Sequence, residues 1–214
     1  MTVRRGRFIV VEGLEGAGKS TAIQTIKQYL SEYTPEVIIT REPGGTRVGE
    51  VIRTLIKDNI AEESLDYRAE LLLLYAARIQ LVERIIRPAL DRGCWVIADR
   101  FELSTFAYQG GGRHLDKKIL ADLSQFCLQD FKPDLILFLD LNPEQGLQRV
   151  QIRGKKDRIE QESLVFFKEV YDSYHQLIRT MDNVVCIDAS ESLQTVQRSL
   201  LMALKAFLSN HLLT

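Results

Sequence analysis

The sequence predicts an α/β protein, with one five-stranded parallel sheet flanked by helices on both faces. Three observations carry that prediction. Five short runs are apolar throughout instead of alternating, which suits strands covered on both sides. Longer segments with a helical period separate them, and repeated strand, helix, strand gives parallel pairing through right-handed crossovers. With 45% apolar and 27% charged residues, the 214-residue chain can fill such a core as one domain over 1–214, which excludes disorder as its main state.

Taken in order, Phe8-Ile9-Val10-Val11 is the first strand and stops at Glu12-Gly13. A helical period follows over about 19–33, then a second strand, Val37-Ile38-Ile39-Thr40. Helical patterns over about 47–58 and 66–92 precede the third strand, Trp95-Val96-Ile97-Ala98. Another over about 116–129 leads to the fourth, Leu135-Ile136-Leu137-Phe138-Leu139. Patterns over about 143–153 and 160–180 come before the fifth, Val184-Val185-Cys186-Ile187, and one over about 191–210 closes the chain. Ligands of such sheets bind beyond the carboxyl ends of the strands. Those ends read Glu12-Gly13, Arg41-Glu42-Pro43-Gly44-Gly45, Asp99-Arg100 and Asp140, so the chemistry is expected there.

Charge narrows the function classes. The 28 basic and 29 acidic residues nearly cancel, which argues against a general nucleic-acid binder and requires any anion to meet a local site. The longest apolar run, Leu71 to Ala77, falls far short of the roughly 18 residues of a membrane span. The start, Met1-Thr2-Val3-Arg4-Arg5, has no secretory core after it. Cys94, Cys127 and Cys186 are widely spaced and odd in number, as expected for small buried hydrophobes in a reducing compartment. A cytoplasmic protein is expected.

Gly13-Leu14-Glu15-Gly16-Ala17-Gly18-Lys19-Ser20 fits the phosphate-binding pattern G-x-x-x-x-G-K-[ST] at every position, between a strand and a helix. The glycines let backbone N–H groups converge on phosphate oxygens, and the helix N-terminus adds partial positive charge. Lys19 is placed to bridge the β- and γ-phosphates of ATP and the Ser20 hydroxyl to ligate Mg²⁺, with Thr21 and Arg149 completing the donor site. No N-K-x-D tetrapeptide for guanine occurs, and a compact chain leaves little room for a motor or transport ATPase. A small phosphotransferase remains.

Arginines mark a second anion. Around a helix, Leu71, Leu74, Tyr75, Val82 and Ile85 gather on one side with Arg78 in their middle. A guanidinium there must be paired, for example with Glu70 or Asp99, or must clamp a polar substrate. Asp99 is placed to organise Mg²⁺ and Arg100 to fork onto a phosphate. Arg149, Arg153, Lys155, Lys156 and Arg158, interrupted by Gly154, suit a mobile lid over about 150–162. Gln109-Gly110-Gly111-Gly112-Arg113 reads as another flexible stretch.

These residues together resemble the thymidylate kinase family along nearly the whole chain. The matching segments are the phosphate loop, Thr40-Arg41-Glu42-Pro43-Gly44-Gly45-Thr46, Tyr75-Ala76-Ala77-Arg78, Asp99-Arg100, Ser104 to Arg113 and Asp157-Arg158-Ile159-Glu160. The resemblance implies a P-loop kinase fold with a lid, a homodimer, and Mg²⁺-dependent transfer of the ATP γ-phosphoryl group to dTMP in dTTP synthesis. It implies Glu15 at the sugar 3′-hydroxyl and Arg41, Arg78 and Arg100 along the acceptor, with Arg100 on its phosphate. It further implies Thr105, Tyr108 and Gln109 near base and deoxyribose, Pro43 after a cis peptide, and Arg153 as the lid arginine of the transfer, with Arg158 as second candidate. Three positions depart from the family pattern: Leu74 replaces an aromatic that stacks on thymine, Phe101 a tyrosine or histidine, and Gln151 a lid arginine.

A monophosphate with a second pKa near about 6 attacks without a general base, so catalysis is positioning plus charge neutralisation. Two alternatives stay open on the residues alone. One is a deoxynucleoside kinase using Glu42 as base on a 5′-hydroxyl. The other is a nucleotide-dependent switch, which has no need of Arg78 in an apolar stripe.

Overall fold

Five strands, β1 (Phe8–Glu12), β2 (Val37–Arg41), β3 (Trp95–Asp99), β4 (Leu135–Asp140) and β5 (Val184–Asp188), pair in parallel in the order β2-β3-β1-β4-β5. This computed structural model describes residues 5–34, 36–58, 63–154 and 157–212, with side chains as far as Ser209. Lys155 and Lys156 of the expected lid, and Met1 to Arg4, lie outside those residues. The helices are α1 (Lys19–Leu30), α2 (Arg47–Lys57), α3 (Tyr67–Leu81), α4 (Arg87–Asp91), α5 (Glu102–Thr105), α6 (Lys117–Leu128), α7 (Pro143–Arg153), α8 (Leu164–Ile178) and α9 (Leu193–Leu212). No helix among the described residues is long and apolar enough to cross a membrane.

The period of two along each strand explains the three layers. Phe8, Val10, Val96, Ala98, Ile136 and Phe138 pack to one side with residues of α4 and α8 such as Leu90, Phe167 and Val170. Ile9, Val11, Ile97, Leu135, Leu137 and Leu139 pack to the other, with Ile23 and Ile26 of α1 and Leu200 and Leu204 of α9. Both faces are therefore covered, as the unbroken apolar runs require. Each Val, Leu, Ile or Phe among them contributes about 1.5–3 kcal/mol when fully buried, so these two clusters dominate the stability. β5 stands at an edge, and there Cys186 is exposed, unlike the buried Cys94, so burial was the wrong expectation for it.

Chain order places the site. From β1 the chain crosses to β2 at the edge and comes back to β3 beside β1, then passes to β4 and β5 on the other side. A crevice opens where the order reverses, beyond the carboxyl end of β1, and the glycine-rich loop occupies it.

Helix beginnings separate two kinds of element. Side-chain oxygens of Thr46, Asp66, Asp116, Asn142 and Ser163 accept backbone N–H groups at the starts of α2, α3, α6, α7 and α8. α1 begins at Gly18 with no side-chain cap and no acidic residue in its first turn. Its first N–H groups are left for an anion.

Two expected elements differ. The period over 66–92 is interrupted by a π-helical turn, Val82–Ile86, before α4. Pro88 opens α4 and has no N–H to donate, so the widened turn absorbs the missing bond. Gln109 to Arg113 is not an open surface loop: Phe106–Gly112 forms a second π-helical turn, with Gln109 and Arg113 buried. Three glycines in a row let it lie directly on α8, where a Cβ on Gly112 would come within 2.4 Å of the Phe166 ring. A flexible composition serves close packing here.

Candidate active site

One cavity of about 410 Å³ runs from the glycine-rich loop to α3. At its phosphate end, Glu15, Gly16, Gly18, Lys19, Ser20 and Thr21 form the wall. Gly13, Leu14 and Ala17 of the same motif sit behind it, Leu14 and Ala17 buried in the two core clusters. Gly16 has φ 76°, and a Cβ there would come within 2.3 Å of the Gly146 carbonyl oxygen of α7, so the turn requires glycine. Lys19 Nζ donates to the carbonyls of Gly13 at 3.0 Å and Leu14 at 2.8 Å. Burial, reinforced by Arg100, lowers its pKa from an ordinary 10.5 to about 8. Arg149 donates to the carbonyls of Gly16 at 3.3 Å and Ala189 at 3.2 Å, tying the loop to the end of β5.

Arg100 is the hub of the middle. It follows β3 with φ 68°, a left-handed conformation uncommon outside glycine, which turns its side chain back over the crevice. Its guanidinium donates to Glu15 Oε1 at 2.7 Å and Tyr108 Oη at 3.0 Å, and to Ser104 Oγ at 3.1 Å and Tyr174 Oη at 3.3 Å. Tyr108 Oη donates to Glu15 Oε2 at 2.5 Å. Burial by itself would raise the Glu15 carboxyl, but Arg100, Lys19 and Tyr108 together bring it below its ordinary value. Burial raises the Tyr108 hydroxyl well above its ordinary value, so it stays a donor. Asp99 lines the same space, with Oδ1 buried and unpartnered.

At the far end Arg78 is only 1% exposed, and its partner is neither of the two the sequence suggested. Its Nε donates to Glu42 Oε2 at 2.8 Å and its Nη2 to Thr105 Oγ1 at 2.8 Å. Among the described residues Nη1 has no hydrogen-bond partner, and neither has Glu42 Oε1. Burial pushes the Glu42 carboxyl up to about 7 against the pull of Arg78. The Glu42–Pro43 peptide is cis. Pro43, Leu74, Thr105, Tyr108 and Gln109 all line this end. Arg41 reaches the wall too, paired at 2.9 Å with Glu50, which also accepts the Gly45 N–H.

The two lid candidates stand differently. Arg153 lines the cavity and pairs with Glu160 at 2.5 Å. Arg158 is not in the wall: its guanidinium bonds Glu70 and the Ile56 carbonyl. The backbone N–H of Arg158 reaches the Lys57 carbonyl at 3.0 Å, and Lys57 Nζ pairs with Asp157 at 2.5 Å. The described part of the expected lid is thus fastened to α2 and α3.

Sequence reasoning assigned no role to Glu12, Ser104 or Tyr174. The Glu12 carboxylate, wholly buried at the end of β1, accepts Phe101 N–H at 2.9 Å, Ser104 Oγ at 2.6 Å and Tyr174 Oη at 2.9 Å, and so sets the frame around Arg100. A carboxylate at the end of an all-apolar strand was the available signal. Tyr174 carried none, because its partner lies 162 residues away. Arg53, which donates to the Pro43 carbonyl at 2.8 Å and lines the cavity, was also missed.

A parallel sheet with an uncapped phosphate loop at its switch point and a second set of cations across one cavity defines a P-loop phosphotransferase. The family model for thymidylate kinase matches residues 11–200. Thymidylate kinases of Legionella pneumophila strains Corby and Paris are each 54% identical over 212 residues, covering 99% of this chain and 100% of theirs. The chain belongs to the thymidylate kinase family.

Proposed function

We propose that this chain, acting as one P-loop kinase domain over 1–214, phosphorylates dTMP to dTDP with ATP in dTTP synthesis. The observation that carries it is the single cavity with Lys19 and the α1 N-terminus at one end and Arg100 and Arg78 towards the other. Two anions can meet there with cations on both sides, which is what transfer between phosphates needs. Lys19 holds the donor phosphates. Arg100, already fixed by four partners, holds the acceptor phosphate, and the Glu15–Tyr108 pair faces the sugar. Arg153 leaves Glu160 to neutralise charge on the transferring group.

Ser20 and the unpartnered Asp99 Oδ1 offer hard oxygen donors beside the phosphate loop, a set that fits Mg²⁺. Bound there, the ion would neutralise charge between the β- and γ-phosphates. A homodimer is in keeping with apolar residues left exposed on α3 and α6, namely Leu72, Ile119 and Phe126. A coupled assay of ADP release with ATP, Mg²⁺ and a panel of nucleoside monophosphates tests the reaction. Turnover on dTMP, and none on thymidine, is expected. Turnover on thymidine instead would move Glu42 into the role of base and overturn the monophosphate acceptor.

A further inference from the structure

Glu70 is fully buried on α3 and lines the cavity one helical turn before Leu74 and two before Arg78. A carboxylate without water must be paired, and three groups converge on this one. Oε1 accepts Gln109 Nε2 at 2.7 Å, Oε2 accepts Arg158 Nη2, and Arg113 Nε stands 3.6 Å from Oε1. None of these contacts serves the phosphates. They join the turn that carries Gln109 to the segment that carries Arg158.

We infer that Glu70 is a positioning residue that sets the hydrogen-bonding polarity of the base end, and that the site it creates selects a pyrimidine with an imide N–H. The inference rests on the acceptor being a pyrimidine nucleotide, as proposed above. A carboxylate offers acceptors only, so it fixes the Gln109 amide with nitrogen towards Glu70. The amide carbonyl oxygen is what remains for a ligand in the cavity that Gln109 lines. The opposite orientation would set two oxygens against each other in a buried place. Arg78 Nη1, buried and unpartnered, adds a donor at the same end. Thymine and uracil present an N–H beside a carbonyl, which matches an acceptor beside a donor. Cytosine presents the reverse at both atoms: a ring-nitrogen lone pair beside an amino group. Glu70 thus excludes cytosine without touching it. It leaves the 5-methyl group unread.

The test is equilibrium binding of dTMP and dCMP to the full chain by calorimetry, for wild type, Glu70→Gln, Gln109→Met and the double variant, with thermal unfolding in parallel. Wild type is expected to prefer dTMP, and Glu70→Gln to lower the dTMP:dCMP affinity ratio at least about tenfold, since a site built on hydrogen bonds discriminates through them. In the Gln109→Met background the Glu70 change should move the ratio less than about twofold, because the amide through which it acts is gone. A ratio unchanged in folded Glu70→Gln, or fully additive effects in the double variant, would overturn the inference. If Glu70→Gln does not fold, Gln109→Met decides: loss of the preference upholds the amide's role and retention overturns it. Binding is read in place of turnover so that the two proposals separate. A protein that selects dTMP but does not phosphorylate it upholds Glu70 and sinks the reaction, whereas one that phosphorylates dTMP and dCMP with equal affinity does the opposite.

Discussion

The two ends of the cavity are built by different means. The phosphate end is a short run of consecutive residues whose binding groups are backbone N–H groups and one lysine. The base end is assembled from α3, the Phe106–Gly112 turn and the segment after α7, held by ion pairs and side-chain hydrogen bonds between residues 27 to 88 positions apart. A phosphate needs only convergent donors, which a glycine-rich turn supplies in any sheet with a switch point. A base needs a fixed pattern of donors and acceptors, and that takes buried side chains locked by other side chains. The phosphate end should therefore fail abruptly when one group is removed, and the base end should be adjustable in steps.

Lys19→Ala carries the largest expected effect. It removes a point charge that neutralises the phosphates most strongly in the transition state, so turnover should fall below detection while thermal stability stays near wild type, since the hydrogen bonds of Lys19 among the described residues go to two loop carbonyls. Retention of more than roughly a tenth of turnover, a barrier change under about 1.4 kcal/mol, would show that the phosphate end is less concentrated than the contrast supposes.

Arg153→Ala comes next. Its guanidinium lies at the cavity wall, 61% exposed and in partnership with Glu160, a pairing that exposure makes cheap to exchange. Turnover should drop by about 10³, at the lower end for an arginine that neutralises a transferring phosphoryl group, with dTMP affinity nearly unchanged. Steady-state kinetics with saturating ATP separate the two. A loss of affinity at constant turnover would assign Arg153 to ground-state binding.

A smaller effect sharpens the electrostatics of the phosphate end. Lys19 has a pKa of about 8 because it is buried beside Arg100, and phosphates would restore its ordinary value or exceed it. A base whose pKa rises on binding contributes fully below its free pKa and loses that contribution as pH rises from the free value through the bound one. ATP should therefore bind with little proton uptake by Lys19 below about pH 7, about half a proton at pH 8 and uptake approaching one proton near pH 9. Calorimetric titrations in buffers of different ionisation enthalpy measure this directly. Equal heats in both buffers near pH 9 would mean that Lys19 is already charged in the free protein.

The same contrast explains what was legible in the sequence. Strands covered on both faces announce themselves as unbroken apolar runs, and the five runs became the five strands. The motif from Gly13 to Ser20 is local, so its place followed once a strand and a helix flanked it. Arg78 could be picked out as a cation on an apolar stripe, but not its partner, because Glu42 comes from another element and no periodicity links the two. The three glycines after Gln109 were legible as backbone freedom; that the freedom serves contact with Phe166 depends on α8, far along the chain. Glu70 had the least signal, since a glutamate in the first turn of a helix ordinarily faces solvent and complements the dipole. Its burial is set by Arg158 and Gln109, both distant in sequence.

Leu74 carries the smallest expected effect and tests whether the base end is adjustable. It is partly buried, lines the cavity, and also packs against the Ile52, Ile56 and Ala77 cluster. It thus belongs to the base end and to the packing between α2 and α3 at once. Leucine covers one face of a base but lacks the ring quadrupole that favours offset stacking, worth about 0.5–1.5 kcal/mol between aromatic rings. Leu74→Phe should tighten dTMP by up to about tenfold, the factor that 1.4 kcal/mol represents, provided the ring enters the cavity. Turned instead towards Ile52 and Ile56, the larger side chain would overpack that cluster at a cost of about 1–3 kcal/mol and cancel the gain. Leu74→Ala distinguishes the two contributions, because it should weaken dTMP and lower the unfolding temperature together. Calorimetry with dTMP and thermal unfolding on wild type and both variants give the four differences needed. A Leu74→Ala protein that is less stable yet binds dTMP unchanged would confine Leu74 to the packing of α2 on α3. Stacking in this site would then have to come from some residue other than the one the family's aromatic occupies.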